Sequence, residues 1–352
     1  MNNNIKANNC ACPSCGAPMR YAPKKKSLFC NNCQTCKNIN SVSFTEKSPW
    51  SERGKLKKED WAKETTSLKC PSCGANVVLN KLEYSKNCPY CNSNLVSNEQ
   101  IIENMAPDAI IPFSLSNEEA SVLYVKGLKK KWFLPNAFKK APPVDNIKGI
   151  YIPTFGYDAD TTSKYSGTLA EHHTHRDSKG NTRTTVTYKN IAGEHKSQQY
   201  DILVETSTKL NQLQFNKILP FNVSKSVNFE QGFIMGYTVE VFENTLEECK
   251  KIADSIMTEN IKREILSKYH YDEVVRFNMH TEQRNVKFAH YLLPVYKCDY
   301  KYKNKNYTTL MNGQTGKVGG GYPKSGVKIT FFVLMIIAII GGIIALINIL
   351  GD

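Results

Sequence analysis

The chain lacks the short motifs that mark the commonest catalytic sites. It has no GxSxG, hence no nucleophile elbow, and no HExxH, hence no zinc-protease helix. Its nearest approach to a phosphate loop, Gly313-Gln-Thr-Gly316-Lys317, fails twice. Met311 stands where GxxxxGK[ST] needs its first glycine, and Val318 where it needs a hydroxyl for Mg²⁺. That stretch reads as a β-turn and the loop after it. The first residues, Met-Asn-Asn-Asn-Ile-Lys, carry no apolar run, so no secretory signal is expected. Acidic residues are in deficit, 32 against 46 basic ones, for a formal charge of +14.

What the chain has is cysteine in order. Cys12-Pro-Ser-Cys15-Gly is followed by Cys30-Asn-Asn-Cys33, and Cys70-Pro-Ser-Cys73-Gly by Cys88-Pro-Tyr-Cys91. Both quartets have the same internal gap, and they sit 58 apart at every position (70 − 12, 91 − 33). Two CxxC hooks so spaced can close a Cys₄ shell around one Zn²⁺. A closed shell of soft thiolates leaves no position for a substrate water, so two structural zinc sites are expected and no catalytic one. Metal hooks need reduced thiols, which points to a reducing cytoplasm. Cys10 and Cys36 flank the first quartet and leave its ligand set open to swapping, although symmetry with the second favours Cys12, Cys15, Cys30 and Cys33. Cys249 and Cys298 read as buried small hydrophobes.

Four thiolates around Zn²⁺ carry a net −2, so two sites bring the charge from +14 to +10. Residues 1–66 hold a +7 excess centred on Lys24-Lys25-Lys26, while residues 67–106 are balanced. This excess is the ground for a nucleic-acid reading; a solvated loop tip is the plainer one. Ile329 to Leu350 runs ITFFVLMIIAIIGGIIALINIL without a charge. That length of apolar sequence spans a bilayer as a helix, and no polar face suggests a buried core helix instead. Lys324 and Lys328 flank its near side only, which by the positive-inside rule keeps the bulk of a single-pass, tail-anchored chain cytoplasmic.

Between ribbons and tail the pattern is α+β. Ser116-Asn-Glu-Glu119 and Thr245-Leu-Glu-Glu248 are capping boxes opening helices to about Trp132–Pro135 and Tyr269. Strands are expected at 150–158, 291–302 and 305–311. A hairpin is expected with arms near 165–175 and 183–188. His172, His173 and His175 fall on that hairpin and read as exposed, incidental histidines. Ile111-Pro-Phe113 resembles Leu219-Pro-Phe221, and Ile152-Pro153 resembles Leu293-Pro294, at offsets of 108 and 141. Two related modules would explain this. The organisation expected is zinc ribbon 1 over 1–40, a linker over 41–66, zinc ribbon 2 over 67–97, α+β modules over 98–217 and 218–323, and a transmembrane anchor over 324–352.

Cys70-Pro-Ser-Cys73-Gly-Ala and Cys88-Pro-Tyr-Cys91 together with Ile111-Pro-Phe113, Lys131-Trp-Phe-Leu-Pro135, Gly149-Ile-Tyr-Ile-Pro153, Tyr157-Asp-Ala, Leu219-Pro-Phe221, Leu292-Leu-Pro294 and Met311-Asn-Gly-Gln-Thr-Gly-Lys317 resemble a bacterial family of membrane-anchored zinc-ribbon proteins. These are of the transcription-factor-IIB type, often labelled as related to primosomal protein N-prime. The resemblance implies a cytosolic zinc-ribbon head, an α+β body, a C-terminal anchor and association with flotillin/stomatin-type scaffolds or envelope-stress proteins. It supplies no catalytic residue. The expectation is a non-enzymatic, membrane-anchored adaptor with protein partners. The alternative, less favoured, is a membrane-tethered nucleic-acid-binding ribbon.

Overall fold

A computed structural model describes residues 11–55, 65–70, 72, 76–80, 85–88, 94–96, 106–140, 144–176, 180, 182–206, 212–240 and 244–350. The fold is α+β. Strands β1 (Arg20–Ala22), β2 (Ser27–Phe29) and β3 (Cys36–Asn38) form a small antiparallel sheet at the N-terminus. β4 (Ser48–Pro49), β5 (Thr65–Lys69) and β6 (Asn76–Asn80) belong to the main sheet, and β7 (Ser85–Asn87) and β8 (Asn94–Val96) make a separate hairpin. The body then runs β9 (Ala109–Ile110), α1 (Asn117–Lys129), α2 (Asn136–Lys140), β10 (Ile147–Arg176), β11 (Thr182–Glu205), α3 (Gln212–Asn216), β12 (Val227–Asn228) and β13 (Thr238–Glu240). It ends with α4 (Leu246–Leu266), β14 (Glu273–Tyr302), β15 (Lys305–Asn312), β16 (Val318–Gly320) and α5 (Gly326–Leu350).

The central path of the main sheet is β12-β9-β14-β10-β13-β6-β5, and it is nearly a palindrome. β10 and β14 are antiparallel, with Ile152 opposite Leu293, the pair related by the offset of 141. Any rotation that exchanges the two strands therefore passes between these residues. The flanking strands obey it. β13 joins β10 in parallel at Ile150 and Tyr151, and β9 joins β14 in parallel at Tyr291 and Leu292. Beyond them, β6 and β12 add antiparallel to Val239 and Ile110. The amide of Thr206 donates to Pro153 and that of Gly313 to Pro294; Asn244 donates to Thr206 and Leu115 to Gly313. The body is thus two interlocked copies of one strand–helix–strand–strand unit, each lending its short strand to the other's long one.

The equivalence corrects the first landmark read from sequence. Ile111-Pro-Phe113 does not correspond to Leu219-Pro-Phe221. The register places Ala109 and Ile110 on Thr238 and Val239, an offset of 129. The helices agree with it: Ala120, Tyr124 and Leu128 of α1 are buried, as are Cys249, Ala253 and Met257 of α4. Both capping boxes form, Glu119 N–H donating to Ser116 Oγ and Glu248 N–H to Thr245 Oγ1, with each glutamate accepting the return bond from the cap amide. Both helices stop earlier than expected, at Lys129 and Leu266.

The strands are longer than expected. The separate strand and hairpin predicted over 150–188 are one 30-residue strand and its partner, and β14 begins at Glu273 rather than near Tyr291. At about 3.3 Å per residue, β14 is roughly 100 Å of chain, and it pairs with β10 from Cys298 to Glu273. The three strands β11, β10 and β14 form an arm, braced by α4 through Leu169, Ile191, Leu266 and a group of tyrosines. Residues 41–55 lie along the body: β4 pairs with β14, and Trp50 packs its ring on Tyr157 and Phe288 at 6.2 and 5.7 Å. At the other end of the chain, Gly326–Ile347 is the one helix, among the described residues, long and apolar enough to cross a bilayer, and its apolar window is unburied.

Candidate metal centre

Each half of the first quartet is built by the same backbone device. After Cys12-x-x-Cys15 the Gly16 amide donates to Cys12 O at 2.9 Å and the Cys12 amide to Ala17 O at 2.8 Å. After Cys30-x-x-Cys33 the Gln34 amide donates to Cys30 O at 2.9 Å and the Cys30 amide to Thr35 O at 2.9 Å. The chain reverses through a left-handed residue in both, Gly16 at φ +73° and Gln34 at φ +64°. A glycine adopts that conformation without strain, which is why one follows Cys15.

These two turns bring Cys12, Cys15, Cys30 and Cys33 together, with every Sγ within 4.8 Å of the others. Cys12 and Cys33 Sγ lie 3.3 Å apart and Cys15 and Cys30 Sγ 3.5 Å. Zinc–sulfur bonds of about 2.3 Å in a tetrahedron need edges of about 3.8 Å, and a disulfide needs about 2.05 Å. The cluster fits a metal cage and no cross-link. Backbone donation from Ala17 and the Asn32 side chain hold the Cys15 thiol below its ordinary value, and the Thr35 side chain and backbone do the same for Cys33. Thiols biased toward the thiolate bind metal more readily near neutrality. Cys36 stands outside the cage, exposed, with Lys25 Nζ 3.8 Å from its sulfur. Cys10 lies outside the described residues.

The cage is fastened to the body. Cys12, Cys30, Met19 and Leu28 pack in one cluster with Met235, from more than 200 positions along the chain. The Tyr21 amide donates to Met235 O at 2.9 Å, and the Tyr21 ring meets Phe233 edge-on at 5.3 Å. Nothing in the sequence around Met235 signals this role. Asn32 and Thr35, which act directly on the thiols, were also missed, although each lies within two residues of Cys33 or Cys30.

In the second quartet Cys70 and Cys88 are buried at the ends of β5 and β7. Cys73 and Cys91 lie outside the described residues. Cys249 and Cys298 are buried as expected, burial pushing their thiols up to about 12 and about 11. The histidine hairpin is exposed: the His173 and His175 rings share a face at 6.4 Å, and His172 reaches Glu273 at 3.7 Å. Among the described residues, only the Cys12–Cys33 set gathers three or more ligating side chains.

Two other groupings have a structural use. His195 Nε2 and Ser197 Oγ both meet Glu264 Oε2, at 2.9 and 2.6 Å, while His195 Nδ1 faces Lys268 Nζ. These bonds tie β11 to α4. The Asn312–Lys317 stretch is a clamp. Asn312 Oδ1 accepts from the Gln314 and Thr315 amides, Asn312 Nδ2 donates to Ile218 O and Pro220 O, and Lys317 Nζ donates to Leu219 O. The stretch that mimics a phosphate loop holds residues 218–222 in place.

No family model matches the chain, and no solved structure matches it. It is 27% identical over 320 residues to a Bacillus subtilis (strain 168) protein named "Uncharacterized protein YdjG", over 90% of this chain and 91% of that one.

Proposed function

We propose that this chain is a membrane-anchored zinc protein of the cytoplasmic face that acts as a non-enzymatic adaptor, its ribbons presenting a rigid surface to a protein partner. The observation that carries this reading is the closed four-cysteine cage packed against Met235 of a body that is continuous with an apolar helix. In such a cage Zn²⁺ supplies stability, on the order of 10 kcal/mol in comparable modules, and no open coordination position. Zinc is the metal we assign, and Cys70, Cys73, Cys88 and Cys91 are the second set we assign to it.

Between the β1–β2 hairpin and the start of α1 runs a cleft of about 740 Å³, edged by Lys24, Phe29, Glu118 and Tyr237. It offers mixed charge and apolar area, which suits a protein segment better than a polyanion. The loop that raised the nucleic-acid reading is partly committed already. Lys24 pairs with Glu119 at 3.3 Å and Lys25 sits 3.6 Å over the Phe29 ring. A membrane-scaffold protein of the flotillin/stomatin type is the partner we favour, on the resemblance of the motifs.

The test uses the full-length chain from native membranes. Two zinc ions per chain by elemental analysis, one in Cys15→Ser/Cys33→Ser, a membrane-pelleted product, an N-terminus closed to protease from outside the cell, and zinc-dependent co-purification of a membrane protein are expected. Metal-free protein, or product left in the supernatant, would falsify the reading. Binding of duplex DNA that weakens steeply with salt would replace the adaptor by the nucleic-acid alternative.

A further inference from the structure

The outer surface of α1 and the segment after it carry a charge pattern that neither the metal centre nor the sheet uses. From Ala120 to Val144 there are six lysines, Lys126, Lys129, Lys130, Lys131, Lys139 and Lys140, and no acidic residue. Four of them, Lys126, Lys129, Lys130 and Lys140, are exposed. Large apolar side chains stand among them: Val122 is 67% exposed and Trp132 62%. Val122, Val125, Lys126 and Lys129 follow helical spacing and, with Lys130 and Val144, line a groove of about 700 Å³.

This surface is joined to the base of α5. The Ser325 amide donates to Phe133 O at 2.7 Å, and Lys328 Nζ donates to Leu134 O and Asn136 Oδ1, both at 2.8 Å. The rings of Phe133 and Trp132 lie 5.5 and 6.4 Å from that of Phe332. Phe332 is six residues into α5, about 9 Å along its axis. A helix that spans from there must begin its passage beside Trp132, the side chain best suited to the boundary between headgroups and acyl chains. A second element converges on the same end. Phe138 of α2 packs on Tyr300 and Tyr302 at 4.9 and 5.7 Å, bringing the exposed Lys301, Lys303 and Lys305 of the β14–β15 turn alongside.

We propose that the Lys126–Lys140 surface lies on an anionic bilayer, its exposed lysines over lipid phosphates and Trp132 at the headgroup boundary. The proposal rests on reading α5 as a membrane span. The occupant follows from continuity with that span and from charge: a surface of one sign, set at the depth where a bilayer begins, faces phosphate. Such contact fixes the body against the membrane and directs the β10–β11–β14 arm, whose tip is at the opposite end of those strands, away from it.

The test is amine labelling of the full-length chain, reconstituted in vesicles of phosphatidylcholine alone or with one third phosphatidylglycerol, and read by mass spectrometry. An anionic surface holds each nearby lysine by about the energy of a fivefold change in equilibrium. Lys126, Lys129, Lys130 and Lys140 are therefore expected to label about fivefold more slowly in the anionic vesicles, with Lys196 on the arm unchanged. Trp132 fluorescence is expected to be quenched by bromolipids, and less so in anionic vesicles when the four lysines are glutamine. Because these side chains are exposed, that variant keeps its fold, checked by its zinc content. Equal labelling in both vesicles, with protein that floats with the lipid, overturns the proposal and leaves the anchor standing. Protein that does not float overturns the span itself. Protection that appears only when a second protein is added assigns the surface to that protein and overturns the proposal.

Discussion

Asn312→Ala tests whether the Asn-Gly-Gln-Thr-Gly-Lys stretch is a clamp. Asn312 is fully buried, and its amide makes four hydrogen bonds of 2.8 to 3.1 Å. Two accept from the turn that follows and two donate to Ile218 O and Pro220 O. A hydrogen bond contributes about 1 kcal/mol net, and a buried acceptor left unsatisfied costs about 1–3 kcal/mol. The turn amides are only partly buried and can take water, so the two carbonyls dominate. The loss is on the order of 4 kcal/mol, which corresponds to a fall in Tm of roughly 10 °C at about 2–4 °C per kcal/mol.

Asn312→Asp separates the two halves of the clamp. It keeps both acceptor bonds and turns a carboxylate toward two carbonyl oxygens, so it is expected to destabilise at least as much as alanine. Lys317→Met, at an exposed end of the same loop, is expected to cost less than 1 kcal/mol. The assay is thermal unfolding of the full-length chain in detergent, as purified from membranes. A fall below 3 °C for Asn312→Ala, or an aspartate variant milder than the alanine one, refutes the reasoning.

Two further outcomes are expected. Burial pushes the His290 imidazole down to about 4, against about 6.5 in the unfolded chain, so only the unfolded chain takes up a proton between those values. Stability is full above pH 6.5 and falls by about 3 kcal/mol on acidification to pH 4. The difference between wild type and His290→Gln isolates this from acid release of metal, and a difference that does not change with pH refutes it. Trp50→Ala removes the half-buried ring that holds residues 41–55 to Tyr157 and Phe288. A loss of about 2 kcal/mol and faster amide exchange at Ser48 are expected; unchanged exchange would show that β4 pairing alone suffices.

Features decided by neighbours in sequence were legible. The first cysteine cage follows from ligand spacing. Both helix starts follow from capping boxes whose donors and acceptors lie three residues apart. The length of β10 was not legible, because residues 159–164, ADTTSK, look like a loop when read alone. They are strand because β11 and β14 supply backbone partners on both sides, and those partners come from 30 to 124 positions away (194 − 164, 284 − 160). Met235 was invisible for the same reason.

The internal repeat was half legible, and the half that failed is instructive. Ile152-Pro153 and Leu293-Pro294 lie on the axis itself, where each packs against the other, so similar side chains are needed twice. The true counterpart of Ala109-Ile-Ile111 is Thr238-Val-Glu240, in which only Ile110 and Val239 are alike. There the two copies have different neighbours. β9 is bordered by β12, and β13 by the β5–β6 hairpin. Leu219-Pro-Phe221 carries a Pro-Phe pair, yet it is held by Asn312 through the carbonyls of Ile218 and Pro220, and in the first copy Glu205 occupies the register position that Asn312 has in the second. Local likeness tracked local chemistry, while the equivalence of the two halves is written in register. That register sets the division of labour. The second copy ends in the clamp, β16 and the apolar helix α5, while the first supplies through Trp132 and Phe133 the surface against which that helix begins. Each half therefore completes the other at the sheet and again at the base of α5, so neither is expected to fold or anchor when expressed alone.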